Sequence, residues 1–194
     1  MNRLLKIGAL ATATALLLVG CSDDGPSYDY AIPKNICEVP VVAADLKPLL
    51  APGESIRERI SRDATHHDTS QSCRVAVDKK RGLNVWLIRS YGEFDIAKEA
   101  AHKYNDLRRV SLGRNVTSAG IAENGAAVRM SCRPRPGQTQ YDSPESKTGK
   151  YTHLVMELTF RVGSGEAQSG VRKRAEIDTF LRSYLPKLTE RWCA

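Results

Sequence analysis

Catalytic equipment is scarce in this sequence. Its 194 residues include 4 histidines, 2 tryptophans and 3 methionines. There is no His-Glu-x-x-His run to hold a hydrolytic zinc, no glycine-rich phosphate loop and no Gly-x-Ser-x-Gly elbow. Gly163-Ser164-Gly165 comes nearest to the last. It lacks the spacing and precedes a polar stretch, so it reads as a linker. No Cys-x-x-Cys pair occurs among the 5 cysteines, which removes the usual zinc knuckle. Nor is there an apolar run of the ~20 residues a spanning helix requires. No internal repeat is visible. The expectation is a chain that is not an enzyme and holds neither cofactor nor metal.

What is present begins at the N-terminus. Asn2, Arg3 and Lys6 give a positive start, Ile7 to Val19 a short hydrophobic segment, and Leu18-Val19-Gly20-Cys21 a small residue followed by cysteine. That order is a secretory signal, and its ending resembles the bacterial lipobox. On this reading residues 1–20 are removed and Cys21 carries lipid. The expected location is the cell membrane, lipid-anchored on its extracytoplasmic face. Each buried methylene contributes about 0.8 kcal/mol, so the two or three chains the resemblance implies make a durable anchor.

Removing residues 1–20 leaves 174 residues, which suits one domain and its tether. The formal charge of +7 falls to +5 with the loss of Arg3 and Lys6. Outside the cytoplasm that balance favours anionic phospholipid headgroups or acidic wall polymers over nucleic acid. Cys37, Cys73, Cys132 and Cys193 remain, and an even count in an exported chain argues for two disulfides. Three pairings are open. Cys37–Cys73 with Cys132–Cys193 is favoured, because each bond then clips a helix end to a nearby strand end. Each such loop is worth about 4 kcal/mol at most.

Residues 21–35 read as the acylated cysteine and a flexible tether, and 36–194 as a single domain. Val41, Val42, Leu46, Leu49 and Leu50 recur at helical spacing up to Pro52-Gly53. Ser55 to Ser61 is an edge strand, and Asp63 to Ser72 a polar loop. Cys73–Asp78 and Leu83–Arg89 are predicted to form a hairpin around a Lys79-Lys80-Arg81-Gly82 turn. A helix is predicted from Asp95 to about Arg109, on the stripe Ile96, Ala97, Ala100, Ala101, Tyr104 and Leu107. Thr117–Ala122 and Ala126–Cys132 flank a Glu123-Asn124-Gly125 turn, residues 133–150 form an exposed loop, and Tyr151–Val162 is the strongest strand. A last helix runs from about Gln168 to Arg191, with Pro186 expected to kink or break it. The fold class is therefore α+β. An antiparallel sheet of five to six strands carries two to three helices and is braced by disulfides.

Few side chains gather. His66-His67-Asp68, with Asp63 nearby, could hold a metal only with a third ligand from elsewhere, and a solvated loop is the simpler reading. His102 and His153 read as surface residues. Basic groups do cluster: Lys79-Lys80-Arg81 at a hairpin tip, Arg108-Arg109 at a helix end, and Arg172, Lys173 and Arg174 opening the last helix. Cations suit a helix C-terminus, which explains Arg108 and Arg109. Arg172, Lys173 and Arg174 sit at the opposite end and are the candidate anion patch. Asn115-Val116-Thr117 matches a glycosylation acceptor but is uninformative here.

The lipobox, Tyr30-Ala31-Ile32-Pro33, Ile36-Cys37, the short proline-bounded helix and the later cysteines resemble small actinobacterial secreted lipoproteins of unknown function. The likeness spans most of residues 30–193. It implies a domain similar in outline to extracytoplasmic α+β sensors, which bind or scaffold, and it carries over no catalytic residue. The function expected is a lipid-anchored binding or accessory module, with a membrane protein or anionic wall polymer as partner. A cell-wall hydrolase with a dispersed site and a purely structural surface lipoprotein are the alternatives.

Overall fold

The computed structural model describes residues 27–63, 70–90, 95–133, 151–160 and 170–193. The chain opens with a small hairpin of β1 (Asn35–Ile36) and β2 (Val39–Pro40), then α1 (Ala43–Leu46) and a 3-10 turn at Lys47–Leu49. Three long strands follow: β3 (Ile56–Asp63), β4 (Ser70–Val77) and β5 (Lys80–Ser90). After α2 (Ile96–Glu99) come β6 (Arg108–Arg109), β7 (Val116–Ala122), β8 (Gly125–Ser131) and β9 (His153–Phe160), and α3 (Gly170–Trp192) closes the chain.

Seven strands form one antiparallel sheet in the order β3-β4-β5-β9-β8-β7-β6. The chain enters at one edge and reaches the middle with β5. It then crosses to the other edge and returns, so that β9 closes against β5. The fold is α+β, as the alternation of hairpins and helices implies. Beyond expectation are β6 in this sheet and the separate β1–β2 hairpin.

Period-two alternation sets the two faces. Val75, Val85, Leu87, Val128, Met130, Leu154, Met156 and Leu158 project to one side, where Ile177, Phe180, Leu181, Tyr184, Leu185 and Leu188 of α3 complete the core. The Tyr184 hydroxyl donates to the Ile36 carbonyl at 3.0 Å, which fastens the first hairpin to α3. Pro186 lies on the exposed side of α3, and the helix passes through it unbroken. Disulfides join Cys37 to Cys73 and Cys132 to Cys193, all four sulfurs belonging to buried residues.

Four local expectations change. Helix α2 is a single turn, not a helix to Arg109. Ile96, Ala100 and Tyr104 are still buried, but the Tyr104 hydroxyl reaches the Ala126 carbonyl and Asp106 takes a φ of 51°, reversing the chain. Leu107 then lies over Gly120, where a Cβ would stand 2.7 Å from its Cγ. Arg108 and Arg109 pair as β6 with Ile121 and Gly120, so they end no helix. The β4–β5 turn is Asp78-Lys79, with φ of 48° and 64°, one to two residues before the expected position. Gly82 instead sits in β5 opposite an irregularity between Val75 and Ala76. Ser70–Ser72 belong to β4 and not to a loop.

The fourth change concerns the tether. Residues 27–30 are docked: Tyr28 bridges to Gly53, the Asp29 amide donates to the Gly53 carbonyl at 2.9 Å, and the Tyr30 hydroxyl donates to the Ala51 carbonyl. Lys47 Nζ stands 4.7 Å above the Tyr28 ring. Five residues, 22–26, thus separate Cys21 from the first docked residue, a reach of at most about 20 Å.

Candidate functional site

The second face of the sheet is unevenly covered. Helix α2 packs against β7 and β8. Beneath it Ala122, Ala127 and Val155 join Ile96, Ala100 and Tyr104 in a smaller apolar cluster. At the border Lys103 Nζ donates to both oxygens of the buried Glu157, at 2.8 and 3.0 Å, and lies 5.5 Å from the Trp86 ring centre. Burial and the Glu157 carboxylate together raise the pKa of the neighbouring Tyr104 phenol. Glu157 and Val155 lie on the β9 face opposite Leu154, Met156 and Leu158, and α2 and Lys103 close over it.

Beyond that border the half formed by β3, β4 and β5 is open. Arg57, Arg59 and Arg74 are exposed there, and Trp86 is 38% exposed. The register decides how they meet. Arg59 and Arg74 are direct Cα partners across β3 and β4, Arg57 stands two residues along the same row, and Trp86 is the partner of Ser72, next but one to Arg74. Directly opposed side chains have Cβ atoms roughly 5 Å apart, and like charges so placed are destabilising. Among the described residues no hydrogen bond or ion pair holds Arg57, Arg59 or Arg74, whereas Lys103, Arg62, Arg108, Arg109, Arg174, Arg182 and Arg191 all have carboxylate partners. Asn84, the register partner of Arg74, keeps its Oδ1 buried with no hydrogen-bond partner. Three unneutralised guanidiniums beside an exposed indole make a surface suited to phosphate or carboxylate groups, which arginine grips in bidentate fashion.

Of the candidate anion patch Arg172, Lys173 and Arg174, the structure places two side chains, and Arg174 is already engaged by carboxylates. The Arg174 guanidinium lies 2.8 Å from Asp106 Oδ2 and 3.4 Å from Glu123 Oε1 and is 13% exposed, tying α3 to the chain reversal and the β7–β8 turn. Lys173 Nζ sits 5.0 Å from the Phe160 ring. The side chain of Arg172 lies outside the described residues. Hydrogen bonding from Arg108, with the charges of Arg108 and Arg174, holds the Asp106 carboxyl below its usual range.

A second cluster surrounds the first disulfide. Cys37 and Glu38 form the β1–β2 turn with φ of 55° and 64°. The Cys37 amide donates to Glu58 Oε1 at 2.7 Å, and Glu38 pairs with Arg62 and Arg191. Cys37, Glu58 and Cys73 bring ligand-type atoms within 4.8 Å of one another. Their two sulfurs are bonded to each other, so this group ties a strained turn and offers a metal no thiolate.

No family model matches the chain, and neither a curated protein nor a solved structure does.

Of the remaining sequence candidates, His102 is exposed on the turn after α2, and His153 is half-buried at the start of β9 with Nδ1 2.8 Å from Thr152 Oγ1. His66-His67-Asp68, Gly163-Ser164-Gly165 and Cys21 lie outside the described residues. Sequence reasoning missed Arg57, Arg59, Arg74 and Trp86. The alternation of Arg57 and Arg59 with Ile56, Glu58 and Ile60 was legible, but the pairing that sets Arg59 against Arg74 depends on register.

Proposed function

We propose that the chain is a lipid-anchored binding or accessory module of the extracytoplasmic membrane face, and that the open β3–β5 half-sheet is its anion-binding surface. One observation carries the binding reading: Arg59 and Arg74 are opposed, and among the described residues no carboxylate pairs with either. A surface shaped for stability alone sets an acid across from an arginine, because like charges directly opposite cost free energy. The lipobox-like ending at Cys21 and the docking of the chain from residue 27 onward support the anchored part of the reading.

Two measurements test it. Titration of the full chain with inorganic polyphosphate should show salt-dependent binding that is weakened in Arg59→Gln/Arg74→Gln; saltless or arginine-independent behaviour would point to the purely structural alternative. Intact-mass analysis of native material should find Cys21 acylated, and an unmodified cysteine there removes the anchor.

A wall hydrolase with a dispersed site is the second reading, and the Cys37, Glu58 and Cys73 convergence is what favours it. It requires the disulfide to open. Zinc content measured with and without reductant decides: metal retained only after reduction supports that reading, and none in either state leaves the cluster structural.

A further inference from the structure

We infer that the occupant of the arginine half-sheet is the anionic phospholipid bilayer to which the protein is tethered. The inference rests on the anion-binding reading above and goes further by naming the surface. Its first ground is reach. The chain docks from Ser27, Tyr28 bridges to Gly53, and β3 begins at Ile56. Arg57 is thus four residues from the docked tether and Arg59 six, within about 20 Å of backbone, and the stretch back to Cys21 adds at most about 20 Å more. An anchored domain so closely held meets the headgroup layer far more often than any soluble ligand, because a short linker raises the effective concentration.

Charge and surface chemistry agree with this. Arg57, Arg59 and Arg74 form a contiguous cluster of exposed cations on one face of the sheet. Lys79 and Lys80 are exposed at the β4–β5 end, the end where the tether docks. The acids near that end are Asp29, Glu54 and Asp78, and Asp78 is engaged: its carboxylate accepts from the Glu54 and Ser55 amides and the Ser55 hydroxyl. The row itself runs from Arg57 through Arg59 and Ser61 toward Asp63 at its far end. Trp86 lies inward of the arginines, and an indole with an apolar body and one polar edge suits the headgroup boundary. Acyl chains and a cationic face together give two attachment signals, and they fix an orientation that lipid alone leaves free. With the half-sheet against the bilayer, the α3 side of the domain faces away from it.

The experiment uses the full chain carrying Trp192→Phe, so that Trp86 is the sole tryptophan. Vesicles of phosphatidylcholine are compared with vesicles that also contain phosphatidylglycerol, both with a trace of dansyl-headgroup lipid. Energy transfer from Trp86 to dansyl reports apposition of this face, and where Cys21 is acylated the phosphatidylcholine vesicles give the baseline that the anchor alone sets. Transfer is expected with phosphatidylglycerol, to fall in ~0.5 M salt where screening shortens to a few Å, and to drop in Arg59→Gln/Arg74→Gln. Without acylation the partition coefficient should fall about 30-fold in that double variant, for two arginines near an anionic surface. The double variant relieves a repulsion, so misfolding does not confuse the result. Transfer that ignores phosphatidylglycerol and both arginines overturns the inference. Arginine-dependent binding of polyphosphate without any vesicle response overturns it too and leaves the anion-binding reading standing; loss of both removes that reading as well.

Discussion

At the scale of single residues, the opposed pair Arg59 and Arg74 makes a claim about stability as well as binding. If the pair is kept for a ligand, the free domain tolerates a repulsion that a neutral side chain would relieve. Arg59→Gln should therefore raise the stability of the unliganded protein by a few tenths of a kcal/mol, the usual size of a cross-strand charge effect, while weakening anion binding. Urea unfolding at low salt measures the first and titration the second. A variant that is both less stable and equally good at binding contradicts the account. The gain should shrink at high salt, since exposed charges are screened. Residue identities here were legible from the start; their juxtaposition was not. Arg74 alternates with Cys73 and Val75, so its face could be read, but its opposite number follows from β3–β4 register. The same holds for Arg174, whose position early in α3 suggested a free cation and whose carboxylate partners come from Asp106 and Glu123, far away in the chain.

At the scale of elements, turn chemistry separates what the sequence carries locally from what tertiary contacts impose. The Asp78-Lys79 turn has both φ values positive, the geometry that joins hairpin strands at their natural twist and prefers glycine at its second position. Lysine in that conformation is strained by about 1 kcal/mol. Lys79→Gly should stabilise the hairpin by about 0.5–1 kcal/mol, read from a raised urea midpoint with an unchanged slope. No change would mean that other contacts fix the turn. Gly82 drew the turn to itself in the sequence, whereas the Asp78 carboxylate, which gathers the Glu54 and Ser55 amides, sets it earlier. Gly125 shows the opposite case, a glycine demanded by close approach. A Cβ there would stand 2.0 Å from the Leu158 carbonyl oxygen and 2.7 Å from the Tyr104 ring. Gly125→Ala should cost about 3 kcal/mol or more, because β8 and β9 must part at the centre of the sheet. A thermal melt within a degree or two of the parent would refute that packing. Helix α2 was the least legible element. Its apolar stripe holds at Ile96, Ala100 and Tyr104, but those side chains are buried by turns as well as by a helix, and Gly120 opens the slot that draws Leu107 and β6 into the sheet.

At the scale of the whole molecule, the titratable groups shifted by folding set the pH range in which the domain holds together. Burial, with the Tyr28 phenol and the Asp78 carboxylate, raises Tyr30 to about 12. Burial also raises Tyr104, beside Glu157, and Tyr184, beside Glu58. In each case the folded state prefers the neutral phenol. Below the unfolded value of about 10 the preference costs nothing. Above it the unfolded chain releases protons that the folded chain retains, so stability falls as pH rises from about 10 through the folded values. At the acid end the signs reverse. Amide donors from Ser55 and Glu54 lower Asp78, and Arg108 lowers Asp106, so the stability they contribute is present above about pH 4 and fades as pH falls further. A plateau between these limits is expected, with Tyr30 acting at the very place where the tether docks. Thermal melts from pH 3 to pH 12 should show both declines, and Tyr30→Phe should flatten part of the alkaline one while leaving the acid limb unchanged. A Tyr30→Phe profile that runs parallel to the parent above pH 10 would show that this phenol is no more shielded in the fold than in the unfolded chain, and the docked position of residues 27–30 would lose its solution support.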